Sequence, residues 1–68
     1  VNTLQVIVNA APQALPAGST LAQLLDVVRP REPFAVAVNL RFVPRQRYGE
    51  TPLADGDRIE IIAPVTGG

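Results

Sequence analysis

Apolar positions alternate with polar ones at the start of the chain, where Leu4, Val6 and Val8 fall on one side of an extended segment over Thr3 to Val8. That side is the expected core face. Asn9-Ala10-Ala11-Pro12 follows, and because Asn tolerates the left-handed region while Pro interrupts pairing, it predicts a hairpin turn into a short edge strand near Gln13-Ala14-Leu15. Pro16-Ala17-Gly18 ends that strand. Thr20-Leu21-Ala22-Gln23 then has the residues of a capping box, in which the Thr hydroxyl accepts from a helix N–H and Gln reaches back to the cap. Leu21, Leu24, Leu25 and Val28 recur at helical spacing and predict one buried stripe, ended by Pro30 and Pro33.

The second half changes period. Phe34-Ala35-Val36-Ala37-Val38 is apolar throughout, the pattern of a central strand covered on both faces or nearly so, and Leu40-Arg41 should turn the chain into Phe42-Val43-Pro44-Arg45. Pro44 cannot donate to a ladder, which argues that the second segment is an edge strand or a short one. Arg45, Arg47 and Glu50 are expected on the surface, and Tyr48 over the end of the core with its hydroxyl in water. After Leu53, which plugs the core, Asp55-Gly56-Asp57 is a tight-turn signal leading into a last strand, Arg58 to Ala63. In that strand Ile59, Ile61 and Ala63 share one face and Arg58, Glu60 and Ile62 the other. The order is two strands, a helix, a long and a short strand, and a final strand, which predicts an α+β fold: a mixed sheet of four to five strands wrapped on one helix.

Composition narrows the chemistry more than the fold. A chain of 68 residues holds one small domain, expected over residues 1–63, with a flexible extended tail over 64–68. There is no cysteine and no histidine, so disulfides, thiolate ligands and the usual neutral-pH base are all missing. No metal site is expected, because the acidic residues around Asp55 lack the spacing of a calcium loop. All six basic residues are arginine, against six acidic ones, so the net charge is zero and no basic field is present to attract nucleic acid. No apolar run is long enough to span a bilayer, and the N-terminus lacks the layout of a secretory signal. These features predict a cytoplasmic protein with neither a membrane nor a nucleic-acid partner, and no catalytic residues of its own.

The remaining chemistry is in the main chain. Pro64-Val65-Thr66-Gly67-Gly68 ends on two residues with no side chain to pack, which weakens a core but lets a backbone thread a narrow slot. Fully extended, these five residues span roughly 16–18 Å, with Pro64 stiffening the base. The competing explanation is an ordinary frayed terminus.

With Val38-Asn39, Val43-Pro44-Arg45, the run Leu53-Ala54-Asp55-Gly56-Asp57-Arg58-Ile59-Glu60 and the final Gly67-Gly68, the chain resembles the ThiS family of thiamin-biosynthesis sulfur carriers. The resemblance covers essentially the whole length. It implies a ubiquitin-like β-grasp fold and a Gly68 carboxylate that becomes an acyl-adenylate and then a thiocarboxylate, with Pro64, Val65, Thr66 and Gly67 threading the partner. It also implies an E1-like adenylating enzyme of the ThiF type that uses ATP, a sulfur-donating enzyme, and a thiazole synthase of the ThiG type that receives the sulfur. The carrier itself would bind no cofactor. The small subunit of molybdopterin synthase ends in the same way, and together with a passive β-grasp interaction module it forms the alternative.

Ile62 is the one apolar residue on the polar side of the last strand, and with Phe42 it marks the sheet face opposite the helix as the expected docking surface. Arg58, Glu60 and Arg45 would form its polar rim. The alternative is that Ile62 is an isolated surface hydrophobe.

Overall fold

The computed structural model describes residues 2–63. Val1 and the tail residues Pro64, Val65, Thr66, Gly67 and Gly68, with the domain boundary expected at 63/64, lie outside the described residues. Five strands and one helix appear in the order β1 (Thr3–Val8), β2 (Ala11–Pro16), α1 (Leu21–Val28), β3 (Ala35–Val38), β4 (Arg41–Val43) and β5 (Arg58–Ile62). A 3-10 helix, Arg45–Glu50, links β4 to β5. The sheet order is β2-β1-β5-β3-β4, with β1 and β5 parallel and every other neighbouring pair antiparallel. The expected α+β fold, a mixed sheet on one helix, is thus present with five strands.

The core lies between the sheet and α1. Leu4, Val6 and Val8 of β1 are buried as the alternation requires, joined by Leu15 of β2, Val36 of β3 and Val43 of β4. Leu21 and Leu24 of the helix and Ile59 of β5 are fully covered, and Leu53 closes one end. The capping box holds: the Gln23 side chain accepts from the Thr20 N–H at 2.8 Å, and the Thr20 hydroxyl accepts from the Gln23 N–H at 3.4 Å.

Four local expectations need correction. The middle of the sheet is β5, and β3 lies one place toward the edge. An unbroken apolar run suggested a central strand, but Ala35 and Ala37 are only half-buried on the outer side, where small residues between larger neighbours suffice. The β1–β2 turn is two residues, Asn9-Ala10, so Pro12 stands inside β2 opposite Ile7, tolerated because β2 is an edge strand. Likewise the second turn is Asn39-Leu40, one residue earlier than the sequence suggests. Both turns have positive φ at both central residues, the type I′ geometry whose twist matches the strands it joins. Finally, Val28 is 36% exposed. It is the last residue of α1, where Arg29 takes the left-handed conformation and reverses the chain, so the stripe that reaches the core is Leu21, Leu24 and a half-buried Leu25.

The 3-10 helix was not foreseen. It carries Tyr48 against Phe34, the two rings stacked with centroids 6.4 Å apart, and so covers the end of the core as its half-buried position requires.

Candidate docking face and tail exit

β5 is the last strand among the described residues and leads toward the tail. A tight turn at Asp55-Gly56-Asp57 launches β5, with Gly56 at φ 89°, a conformation that favours glycine. Its two carboxylates are used locally. Asp55 accepts from the Gln5 N–H at 2.7 Å, and Asp57 accepts from the Ala54 N–H at 2.8 Å and from the Asn39 side chain at 3.0 Å. Among the described residues no group of three or more acidic, histidine or cysteine side chains is gathered as a metal site would require.

From that turn β5 runs between β1 and β3. On its flank toward β3 the ladder continues to Ala35 opposite Ile62, whereas on the flank toward β1 it ends at Val8 opposite Ile59. The chain therefore leaves the sheet from its central strand, held on one side by β3 and on the other by the β1–β2 turn. Asn9 of that turn accepts from the Ile61 N–H at 2.8 Å and donates to the Ile61 carbonyl at 3.2 Å. Asn9, expected only as a turn residue, also fastens the strand that leads into the tail.

The outer face of the sheet collects most of the residues singled out for docking. Strand alternation puts Phe42, Ala37 and Glu60 in one row across β4, β3 and β5, and Ala35 beside Ile62 in the next. Phe42 is 69% exposed and Ile62 57%, so two large apolar side chains flank a floor made of alanine methyls. Arg58 and Glu60 are exposed on the same face, with Arg58 in register with Ile7. Arg45 lies beyond β4, where it lines a groove with Phe42, Ala35 and Glu32 and pairs with Glu32 at 3.3 Å. With both partners mostly exposed, that pair contributes little to stability. All five docking candidates are thus on or beside one face, with Arg45 at its margin.

Sequence reasoning missed Leu40. It is 87% exposed in the β3–β4 turn and lines a shallow pocket with Arg58 and Glu60, which extends the apolar part of the face. The signal in the sequence was a leucine within an expected turn; its φ of 70° is one where glycine or asparagine is the unstrained choice.

Comparison with known proteins gives this architecture a family. A model of the ThiS family matches residues 6–68, nearly the whole chain. The Sulfur carrier protein ThiS of Escherichia coli (strain K12) is 30% identical over 66 residues, an alignment spanning 96% of this chain and all of that protein. Among solved structures, the crystal structure of the thiamine biosynthesis protein ThiS from Geobacter metallireducens superposes with a TM-score of 0.81 at 22% identity, covering 96% of this chain and 100% of that one. A solution structure of the Geobacter metallireducens protein gives 0.73, also at 22% identity, over 96% and 88%. The structural likeness establishes the ubiquitin-like β-grasp fold, and from the family match through residue 68 the chain belongs to the ThiS family.

Proposed function

We propose that this protein is the sulfur carrier of thiamin biosynthesis and that the Gly68 carboxylate is its working group. The family match running through Gly67-Gly68 carries the reading. An ionised carboxylate resists nucleophiles because attack adds charge to an anion. In the proposed sequence an oxygen of the Gly68 carboxylate attacks the α-phosphorus of ATP on an E1-like adenylating enzyme of the ThiF type, and pyrophosphate leaves. Sulfur at the sulfide level, supplied by a sulfur-donating enzyme, then attacks the acyl carbon and AMP leaves with the bonding pair; the thiocarboxylate that results passes its sulfur to a thiazole synthase of the ThiG type and returns to a carboxylate with an oxygen taken in exchange. Two easier steps replace one difficult step.

The body suits that role by what it omits. With no cysteine and no lysine it has no side chain that would readily capture its own acyl-adenylate. Binding falls to the outer sheet face: Phe42, Leu40 and Ile62 provide apolar contact, Arg58, Glu60 and Arg45 a polar rim, and Pro64 to Gly67 thread toward the reacting centre. The compositional basis for this division is an apolar centre with a charged margin, the arrangement common to protein interfaces. The protein acts as a co-substrate of cytoplasmic enzymes and holds no cofactor, the ATP being bound by its activating partner.

Intact-mass analysis tests the reading. After incubation with ATP and an activating enzyme the chain should gain the mass of AMP less one water, and with a sulfur donor present one oxygen should be replaced by sulfur. A chain that stays unmodified with partners that activate the Escherichia coli relative would refute it.

A further inference from the structure

The two tight turns of the sheet are built alike, and both lean on β5. Each opens with an asparagine in the left-handed region, Asn9 at φ 48° and Asn39 at φ 52°. Each donates its backbone N–H to β5: Asn39 to the Arg58 carbonyl at 2.7 Å, Asn9 to the Ile59 carbonyl at 2.9 Å. In a regular ladder the return bond would be accepted by the same residue's backbone carbonyl. Here the side-chain oxygen takes it, from the Arg58 N–H at 3.0 Å onto Asn39 and from the Ile61 N–H at 2.8 Å onto Asn9. The amide nitrogen adds a further bond, from Asn39 to the Asp57 carboxylate at 3.0 Å and from Asn9 to the Ile61 carbonyl at 3.2 Å. Asparagine alone combines these properties: it tolerates positive φ, accepts and donates, whereas aspartate lacks the donor and glycine both groups.

The clips differ in where they act. Asn39 closes the start of β5 against the Asp55-Gly56-Asp57 turn. Asn9 closes its end, where β1 has stopped pairing and Ile61 has no strand neighbour on that flank. Ile61 stands seven residues before Gly68. We infer that Asn9 is a positioning residue for the carrier reaction: by fixing both main-chain groups of Ile61 it sets the direction in which the chain departs from the sheet, and so where the terminal carboxylate is delivered. The inference rests on the carrier reading above.

Asn39 supplies the control. Glycine at either position keeps the left-handed turn and removes one clip, so the two variants are matched in turn chemistry and differ only in which end of β5 is released. Acyl-adenylate formation is followed by pyrophosphate release with an ATP-dependent carrier-adenylating enzyme at varied carrier concentration. For N9G, kcat should fall about five- to tenfold with KM within twofold, since the docking face is intact and fewer docked molecules present the carboxylate correctly. By NMR its Ile61 amide should exchange with deuterium faster than in the wild type. N39G should keep kcat within twofold, and N9D, which retains the turn and the acceptor, should lie between N9G and the wild type. A folded N9G with wild-type kcat, or an equal loss in N39G, overturns the inference. Should N9G not fold, N9D at wild-type kcat overturns it as well. A wild-type chain that is never adenylated removes the carrier reading itself, an outcome separate from any difference between the two asparagines.

Discussion

Replacing Ile62 by aspartate puts the proposed docking face to a quantitative test. Fully burying an isoleucine side chain is worth roughly 1.5–3 kcal/mol, and Ile62 retains 57% of its exposure, so covering it in a complex contributes about 0.9–1.7 kcal/mol. A carboxylate left without a partner in the same contact adds a cost of about 1–3 kcal/mol. Together these lower kcat/KM for acyl-adenylate formation by about 2–5 kcal/mol, or about 30- to 5,000-fold. The fold loses less. Ile62 faces outward opposite Ala35, and the lower strand preference of aspartate costs up to about 1 kcal/mol, a fall in melting temperature of about 4–8 °C in a domain of this size. The assay is initial-rate pyrophosphate release at carrier concentrations below KM, run well under the melting temperature of both proteins, with circular dichroism to verify folding. If Ile62→Asp is folded and adenylated at the wild-type rate, the outer face is not where the activating enzyme binds.

Three further outcomes are expected. Leu24 is fully buried beneath the helix, so Leu24→Ala should cost about 2.7–5 kcal/mol, comparable to the whole stability of about 3–5 kcal/mol expected for so small a core, and the far-ultraviolet spectrum should show a largely unfolded chain at 25 °C. Leu40→Gly should relieve a left-handed leucine and raise the melting point by a few degrees, yet reduce kcat/KM with the activating enzyme, because the exposed side chain it removes belongs to the proposed face; unchanged turnover would exclude Leu40 from it. Removing Gly68 should leave the melting curve unchanged and abolish adenylation, as should amidation of its carboxylate, both read by intact mass.

Much of this was legible in the sequence because short-range rules decided it. Leu4, Val6 and Val8 alternate into the core, Thr20 and Gln23 cap the helix, and Gly56 turns the chain, each announced by a pattern only a few residues long. The docking candidates were found by the same rule, since Ile62 breaks an alternation visible in five residues. What stayed hidden depends on partners distant along the chain. The central place belongs to β5 because it inserts between β1 and β3, a fact of topology that its mixed pattern does not advertise, while the uniformly apolar β3 misleads because alanine meets the need of a partly screened face. The second role of Asn9 was invisible for the same reason, its partner lying 52 positions away. The 3-10 helix went unseen because Arg45 to Glu50 has no apolar period; the stacking of Tyr48 on Phe34 and the Thr51 hydroxyl donating to the Arg47 carbonyl at 2.6 Å hold it.

The insertion of β5 at the centre bears directly on how a small body can present a reactive end. Edge strands fray at little cost, whereas a strand paired on both flanks opens only when much of the sheet opens with it. β5 is paired on both flanks at Arg58 and Ile59 and on one flank beyond them, so the tail that continues from it is coupled to the core through the fully buried Ile59 and the half-buried Ile61. In the proposed carrier reaction, a partner that draws on the tail pulls against a strand held by β3 on one flank and by the Asn9 side chain on the other. Had the chain ended on β2 or β4, the same pull would peel an edge, and part of the binding energy spent on the outer face would be lost in distorting the carrier. On the proposed carrier reading, central placement keeps that energy for aligning the carboxylate, which is where a protein acting as co-substrate would influence the rate of its own activation.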